Sequence, residues 1–455
     1  MFAESIYRGR RDVLKSRLGK GVVLLLGNDE QGLNYEDNAF LYRQDSTFLY
    51  YFGLSRPGLA AVIDIDNNRE IVFGEELTID DIVWMGAQPS LHEKAGMAGV
   101  FDVRPLKDLK GYLDGGGDGV LYLPTYRAEH KLKLMDLLGV MPGHEKPSVE
   151  LIKAVVDQRN HKGEEEIAEI EKACNVTADM HIAAIRCLRP GMKECEVAAV
   201  IEAVAQSHDC SLSFPTICTI NGQTLHNHFH GHVAPSGRLM LIDAGAEVAS
   251  GYAGDMSSTF PVDPIFTSRQ RLIYDVQVQM HQQAVAALRP GIAFKDVYEL
   301  SARVMVDHLK ELGLFRGTTD DIVESGAFAI CYPHGLGHMM GLDVHDMENL
   351  GEVYVGYDGR EKSKQFGRKS LRLARPLEPG FVHTIEPGIY FIPELIDKWR
   401  GEKQFTDFIV YDEFEKWKDF GGVRNEEDYL ITAQGARRLG KKIPLTAQEV
   451  EAERQ

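Results

Sequence analysis

The strongest constraint on the fold is a segment that occurs twice in the carboxy-terminal half of the chain. Leu188-Arg-Pro-Gly-Met recurs as Leu288-Arg-Pro-Gly-Ile, 100 residues later. Arg-Pro-Gly alone is an ordinary helix stop, but each copy follows an alanine-rich helical pattern and precedes a second one, at 195–205 and 297–309. These matched flanks favour a duplicated helix–turn–helix unit. Because β-rich segments follow both copies, the sequence predicts a pseudo-symmetric fold in which two sets of strands face each other.

The amino-terminal part of the chain has the pattern of a separate α/β domain. A helical pattern at 11–18 is followed by apolar strand patterns at 21–26 and 59–66, and the second of these strands closes with an Asn-Asn turn. A glycine-rich turn at 114–119 precedes a further strand pattern at 120–123. A chain of 455 residues also exceeds one ordinary hydrophobic core, so two domains are expected.

The predicted boundary lies in a polar stretch, residues 157–163, that ends in glycine. Glu164 then opens a helical pattern with three acidic residues at its positive end. The sequence therefore predicts an amino-terminal domain at 1–160 and a second domain at 161–455.

Composition and net charge indicate which partners are disfavoured and which cellular compartment is expected. The net charge of −18 disfavours nucleic acid and anionic membranes. The six cysteines include no Cys-x-x-Cys pair, which indicates reduced thiols in a reducing compartment. The chain starts without an apolar signal core and contains no stretch of membrane-spanning length, so we expect a cytoplasmic protein.

Five potential metal ligands lie in the carboxy-terminal half, each in a short segment marked by glycine or proline: Asp243, Asp255, His338, Glu386 and Glu426. The two aspartates flank an apparent hairpin, although aspartates at strand ends are more often turn formers. Glu386 ends an apolar strand pattern, where an unpaired carboxylate is costly, and either a metal ion or an ion pair with an arginine would explain it. Four carboxylates and one imidazole together suit a pair of hard divalent ions, which indicates a two-metal hydrolase.

Histidines form a second cluster around the central ligand. His334, His338 and His345 lie in one glycine-rich, apolar run. One imidazole could bind metal while the others donate to a substrate oxygen, and the alternative for any single histidine is a packed ring bonded to backbone. Arg424, two residues before Glu426, could orient a ligating carboxylate. The sequence has no phosphate-binding glycine loop, no His-Glu-x-x-His and no Gly-x-Ser-x-Gly.

With these residues, the region 160–440 resembles the catalytic domain of the creatinase/methionine aminopeptidase group, the pita-bread metallopeptidases. Residues 40–90 resemble the amino-terminal domain of aminopeptidase P and prolidase, most clearly from Tyr42 to Leu54 and in Val83-Trp-Met-Gly. The resemblance implies an α+β protein, in which a smaller α/β amino-terminal domain precedes a pseudo-symmetric pita-bread catalytic domain.

The resemblance also assigns the ligands. It implies two divalent metal ions, most often Mn²⁺, with Co²⁺ or Zn²⁺ as alternatives. Asp243 would bind one ion, His338 and Glu386 the other, and Asp255 and Glu426 would bridge both. Glu386 would also manage the proton of the attacking water.

Further positions match substrate contacts of the family. His226 and His345 correspond to residues that contact the substrate and the developing oxyanion. His334 matches a histidine that lines the proline pocket, and Arg372 matches an arginine that meets the carboxylate end of short peptides. Trp84 matches a residue that reaches the active site of a neighbouring subunit, which implies a homodimer or a higher homo-oligomer.

The sequence departs from the family pattern at several points. His226 is followed by Asn227 where the family often has tyrosine, and further histidines lie close by at 228 and 230. Asn425 replaces a common isoleucine. The long segment 394–420 looks more like prolidases than like bacterial aminopeptidases P.

These features predict an Xaa-Pro aminopeptidase that acts on small peptides with proline in second position. An Xaa-Pro dipeptidase (prolidase) is the alternative. A non-enzymatic binding protein with the same fold is a third reading, but such relatives lose ligands, whereas this sequence retains all five.

Overall fold

A computed structural model describes residues 1–115 and 119–454. The glycine-rich turn predicted at 114–119 falls largely on residues 116–118, outside this described part. The chain divides into two compact units. One comprises Met1–Arg159 with Met347–Tyr354, and the other comprises Asn160–Asp346 with Val355–Gln455. The short return of the chain to the first unit has no signal in the sequence, and the boundary at 160/161 stays a prediction.

The first unit is built on a mixed five-stranded sheet. Its strands, in spatial order, are β4 (Asp102–Arg104), β3 (Arg69–Phe73), β2 (Ala60–Asp64), β1 (Val22–Leu26) and β5 (Val120–Leu121). Strand β1 is apolar along its whole length and β2 is apolar up to its last residue, Asp64; both are almost completely buried, as expected for strands covered on both faces. The predicted Asn-Asn turn joins β2 to β3, and Asn68 has a positive φ of 48°. The elements are α1 Glu4–Leu18, β1 Val22–Leu26, α2 Ser46–Phe52, β2 Ala60–Asp64, β3 Arg69–Phe73, α3 Ile79–Met85, α4 Leu91–Met97, β4 Asp102–Arg104, α5 Leu109–Asp114, β5 Val120–Leu121, α6 Ala128–Leu138 and α7 Val149–Asn160.

The remaining elements follow from residue 164 onward. They are α8 Glu164–Cys187, α9 Glu194–Ser207, β6 Ser211–Leu212, β7 Ile217–Thr219, β8 Leu239–Ala244, β9 Ala246–Glu247, β10 Met256–Pro261, α10 Ser268–Ala287, α11 Phe294–Glu311, α12 Thr319–Ser325, α13 Glu352–Val355, β11 Val382–Ile385, β12 Gly388–Tyr390, α14 Pro393–Gly401, α15 Tyr411–Phe414, β13 Gly422–Arg424, β14 Glu427–Ile431, β15 Ala436–Arg438 and α16 Ala447–Glu453. Within the described residues, no helix combines the length and the apolar character that a membrane span requires.

The predicted duplication is confirmed. The helix pairs α8–α9 and α10–α11 are each joined by the repeated turn, whose Gly191 and Gly291 have φ of 93° and 83°. Glycine adopts this left-handed conformation without a steric penalty. Both turns are also held in the same way, because the Gly191 N–H donates to Ala234 O and the Gly291 N–H donates to Leu377 O, each at 2.8 Å.

Each helix pair is followed by strands that belong to one of two small sheets. The first sheet has the order β10–β8–β7 and the second has the order β11–β14–β15. An antiparallel bridge between Ser257 and Glu426 connects them. Strands β8 and β10 are buried at every position. The candidate ligands therefore lie where the two halves of this unit meet, and the α+β, pseudo-symmetric fold is confirmed.

Candidate metal centre

The first half of the second unit contributes a pair of aspartates. Asp243 lies in β8, opposite Ser257 of β10 in the antiparallel register, and Asp255 directly precedes β10. Both side chains are largely buried. One oxygen of each, Oδ1, is buried without a hydrogen-bond partner among the described residues. A carboxylate oxygen left in this state is costly unless a cation accompanies it.

His338 comes from the second half and is fixed at both its backbone and its ring. Its N–H donates to Thr384 Oγ1 at 3.2 Å, and its carbonyl accepts from Thr384 N at 3.0 Å. The ring Nδ1 lies 3.1 Å from Met339 O. A carbonyl only accepts, so Nδ1 carries the proton and Nε2 presents its lone pair.

This lone pair faces carboxylates. His338 Nε2 lies 3.4 Å from Asp255 Oδ2 and 3.7 Å from Glu386 Oε1. The ligand atoms of Asp255, His338 and Glu426 all lie within 4.8 Å of one another. A neutral imidazole whose lone pair points at carboxylate oxygens is an arrangement that a metal ion stabilises.

The two glutamates are placed by strand ends. Glu386 follows β11, and its N–H donates to Leu336 O at 2.8 Å. Glu426 lies between β13 and β14, where its N–H donates to Ser257 O at 3.0 Å and its Oε2 accepts from Ser257 Oγ at 2.7 Å. Among the candidate ligands, Glu426 Oε1 is the third buried carboxylate oxygen without a hydrogen-bond partner in the described part of the chain.

Electrostatics also favour a bound cation. Burial, followed by the charge of Glu426, raises the pKa of Asp255 well above its usual value. Burial and the charge of Glu386 do the same for the pKa of Glu426. Burial raises the pKa of Glu386 to about 7, and its carboxylate oxygens lie 3.8 Å from His334 Nδ1 and 3.7 Å from His338 Nε2. The five residues therefore fit divalent metal ions.

Arg424 links the ligands of the two halves. Its Nη2 donates to Asp243 Oδ2 at 2.6 Å and its Nε donates to Ser257 Oγ at 2.9 Å. Its Nη1 donates to the Tyr390 hydroxyl at 2.9 Å, and this hydroxyl lies 2.9 Å from His334 Nε2. Sequence reasoning identified Arg424 but missed Ser257 and Tyr390, which look like ordinary strand residues.

The ligands border a cavity of about 470 Å³. Four of the predicted substrate contacts line it: His226, His334, His345 and Arg372. The His345 ring lies 4.2 Å from that of His338, centroid to centroid. The sequence analysis missed the apolar wall, formed by Phe214, Pro215, Ile217, Leu225, Pro333 and Val344, and gave no role to His228, which also lines the cavity.

Two predicted contacts have distinctive surroundings. His334 Nδ1 lies 2.7 Å from Gly335 O, so with the Tyr390 contact both of its ring nitrogens are engaged. Trp84 lies on α3 in the first unit, and its side chain is 85% exposed. It is not among the described residues that line the cavity.

Comparisons with known proteins agree with this geometry. The sequence profile of metallopeptidase family M24 matches residues 168–433, and the profile of the aminopeptidase P amino-terminal domain matches residues 7–118. The human Xaa-Pro dipeptidase is 30% identical over 447 residues, which cover 95% of this chain and 88% of that protein. A protein of Aspergillus niger named a probable Xaa-Pro aminopeptidase is 29% identical over 446 residues, covering 95% and 92%.

Solved structures give the same result. Escherichia coli aminopeptidase P in complex with substrate, as a variant with a glutamate replaced by alanine, superposes with a TM-score of 0.83 at 27% identity, covering 100% of this chain and 98% of that one. An aminopeptidase of Pseudomonas aeruginosa superposes with a TM-score of 0.82 at 27% identity and the same coverage. A zinc-substituted form of the E. coli enzyme in complex with product has a TM-score of 0.81 at 27% identity, again covering 100% and 98%.

Proposed function

Because this chain belongs to metallopeptidase family M24, we propose that it is an Xaa-Pro aminopeptidase, a dinuclear metal exopeptidase that hydrolyses the bond between an amino-terminal residue and proline. The observation that carries this proposal is the cluster of four carboxylates and one imidazole beside a cavity lined by apolar side chains, further imidazoles and Arg372. Three buried carboxylate oxygens of this cluster have no hydrogen-bond partner among the described residues. The relatives named Xaa-Pro aminopeptidase and Xaa-Pro dipeptidase support the substrate class.

Asp243, Asp255, His338, Glu386 and Glu426 would hold two divalent ions. Carboxylate-rich sites suit Mn²⁺, and Co²⁺ or Zn²⁺ are the alternatives. When bound, such ions polarise the scissile carbonyl and lower the pKa of water.

The protein's own residues supply the remaining steps. Glu386 would take a proton from the attacking water and return it to the proline nitrogen of the leaving group. His226 and His345, which both line the cavity, would donate hydrogen bonds to the substrate and to the oxygen that becomes negative in the transition state. His334, with both nitrogens engaged, would present its ring to the proline.

The Xaa-Pro dipeptidase remains the second candidate, and a specific comparison favours it. The human relative of that name covers nearly the whole chain at 30% identity. Arg372 lines the cavity and offers a cation for a free carboxylate. If Arg372 binds the carboxylate of the proline itself, the activity is that of a dipeptidase. If it meets a residue further along the peptide, the activity is that of an aminopeptidase.

The test compares Ala-Pro with Ala-Pro-Ala, using the purified protein with Mn²⁺ added. A higher kcat/KM for the tripeptide is expected. A much higher value for the dipeptide would establish the second candidate, and no hydrolysis of either peptide would refute both. Metal analysis should give two ions per chain, and one ion in fully loaded protein would contradict the dinuclear assignment.

We further propose a homodimer or larger homo-oligomer in which Trp84 contributes to substrate binding. Ile79, Val83, Trp84 and Met85 are all exposed on α3, so an apolar surface is available there. Sedimentation of wild type and of Trp84→Ser, with KM measured in parallel, tests this proposal.

The six cysteines are all free, which supports a cytoplasmic location.

A further inference from the structure

The two cavity-lining imidazoles of the first half lie on one loop. Residues 220–232, called the histidine loop below, form the first part of the 220–238 connection between β7 and β8. Leu225, His226 and His228 all line the cavity from it. The position of the loop therefore sets where two imidazoles meet a bound peptide.

One buried carboxylate binds both ends of this loop. Glu194, the first residue of α9, is 0% exposed. Its Oε1 accepts from the N–H of Ile220 at 2.9 Å. Its Oε2 accepts from the N–H of His232 at 3.0 Å and from His232 Nδ1 at 2.9 Å, where the ring nitrogen must donate because a carboxylate only accepts.

The middle of the loop is held by neutral hydrogen bonds. Asn227 Nδ2 donates to Thr219 Oγ1 at 3.0 Å, and Asn227 Oδ1 accepts from the N–H of Phe229 at 3.0 Å. Hydrogen bonds to an ionised acceptor are roughly twice as strong as neutral ones. The Glu194 side chain is fully buried, whereas the His232 side chain is 40% exposed. Arg238 Nη2 also donates to Ile220 O at 2.8 Å, and the N–H groups of Glu194 and Cys195 donate to His232 O at 2.9 Å and His230 O at 3.0 Å. Glu194 adds to these contacts a buried carboxylate that binds both ends of the loop.

The carboxylate of Glu194 is not needed to cap α9. The first turn of this helix is capped by Glu196, whose Oε2 accepts from the N–H of Lys193 at 2.7 Å. Glu194 instead directs both carboxylate oxygens away from its own helix and toward the loop. A buried charge in such a place is costly, and here three donors from the loop compensate for it.

We propose that Glu194 is a positioning residue that holds His226 and His228 in place for substrate binding. This inference rests on the proposed peptidase function. It assigns part of the substrate recognition to a residue that lies outside the cavity and contacts neither substrate nor metal.

Glu194→Gln tests the inference. The side-chain NH2 group of glutamine is a donor, so it would face a donor of the loop where the carboxylate oxygen now accepts. We expect kcat/KM for Ala-Pro-Ala to fall about tenfold or more, with metal content unchanged. Glu196→Gln, on the same turn of α9, is the matched control and should change kcat/KM less than about threefold. His232→Ala removes one of the three donors and should have an intermediate effect.

A double-mutant cycle separates positioning from a general structural role. If Glu194 acts through His226 and His228, Glu194→Gln should lower kcat/KM much less in a His226→Ala/His228→Ala background than in wild type. An equal loss in both backgrounds would overturn the proposal, and so would loss of metal from Glu194→Gln.

Amide hydrogen exchange makes the inference independent of activity. Glu194→Gln should speed exchange in the histidine loop and leave β8 and β10 unchanged. Unchanged exchange in the loop, or exchange raised throughout the chain, would refute the proposal. If wild type cleaves neither peptide, the proposed function fails, and the exchange experiment still decides whether Glu194 anchors the loop. Should Glu194→Gln not fold, Glu194→Asp and His232→Ala provide the same measurements.

Discussion

The two halves of the catalytic unit share a scaffold but contribute to the site differently. The helix pairs α8–α9 and α10–α11 end in turns of the same conformation, held by the same type of hydrogen bond. The first half supplies two ligands from one hairpin, whereas the second half supplies three from separate segments. The duplicated scaffold thus brings two strand sets together, and the segments between the strands give each half its chemistry.

A pair of buried histidines shows the same difference. His181 on α8 and His281 on α10 are 100 residues apart and both essentially unexposed. His181 Nδ1 lies 2.9 Å from Ser258 Oγ, and its Nε2 lies 3.1 Å from Ala244 O. Neither nitrogen of His281 has a hydrogen-bond partner among the described residues, and its Nε2 lies 3.7 Å from Glu427 Oε2. The buried histidine of α8 is therefore hydrogen-bonded at both ring nitrogens, whereas the buried histidine of α10 is hydrogen-bonded at neither within the described part of the chain.

The largest effect is expected from the loss of Asp255, the proposed bridging ligand. Asp255→Ala should abolish hydrolysis and lower metal content, because it removes the carboxylate that we propose is shared by two ions. In metal-free protein the same change should raise the melting temperature, since it relieves repulsion among buried carboxylates. Activity, elemental analysis and calorimetry of both forms check this. Near-normal activity would show that the first half does not contribute a bridge.

The next prediction compares one imidazole from each half. His345→Ala and His226→Ala should each lower kcat, His345→Ala by about 10²-fold or more, because a positioned donor to the transition state is lost. Metal content should persist in both variants. If His345→Ala loses both metals, His345 is a ligand, and the second half contributes four metal-binding residues.

Arg372 tests how the second half recognises the far end of the substrate. Arg372→Ala should lower kcat/KM about tenfold or more for the peptide whose carboxylate it binds, since a charge-assisted hydrogen bond is lost. We expect the larger loss with Ala-Pro-Ala than with Ala-Pro. A wild-type preference for Ala-Pro that disappears in the variant would assign the chain as a dipeptidase.

The halves should also differ in their pH dependence when metal is removed. The folded pKa of Glu386 is about 7, above its usual 4.5, so the folded state binds more protons between these values and stability rises as pH falls through 7. The folded pKa of His181 is about 4, below its usual 6.5, so stability falls as pH drops below 6.5. Metal-free protein should therefore melt at a higher temperature at pH 7 than at pH 8.5. The loaded protein should show a smaller gain, since a bound metal would hold Glu386 ionised while Asp428, whose pKa burial also raises to about 7, still titrates. The same gain in both forms would contradict the assignment.

The smallest effect concerns the paired histidines themselves. His181→Leu should destabilise the metal-free protein by about 1–3 kcal/mol, because Ala244 O and Ser258 Oγ lose their partner. His281→Leu should cost less than about 1.5 kcal/mol, since a similar volume replaces a ring without hydrogen bonds. Denaturant unfolding of the two variants gives the difference, and equal losses would remove the contrast between the halves.

Much of the fold could be predicted because it is encoded locally. The Arg-Pro-Gly stops, the alanine-rich helices and the apolar strand runs each depend on residues close together in the chain. The candidate ligands could be found for a similar reason, because Asp243, Asp255, Glu386 and Glu426 all lie at the ends of strands marked by glycine, proline or asparagine. Carboxylates at such positions stand out from an apolar context.

The sequence by itself determined the duplicated scaffold, the ligand types and the chemistry they suit. Only the tertiary structure decided how those groups are held. Arg424 and Asp243 are 181 residues apart, and Glu194 and His232 are 38 apart. Such hydrogen bonds leave no periodicity in the chain, so a buried arginine or glutamate reads as an ordinary charged residue until its partners are seen. The same holds for the apolar wall of the cavity, whose members are brought together by the packing of loops and strands rather than by a shared pattern.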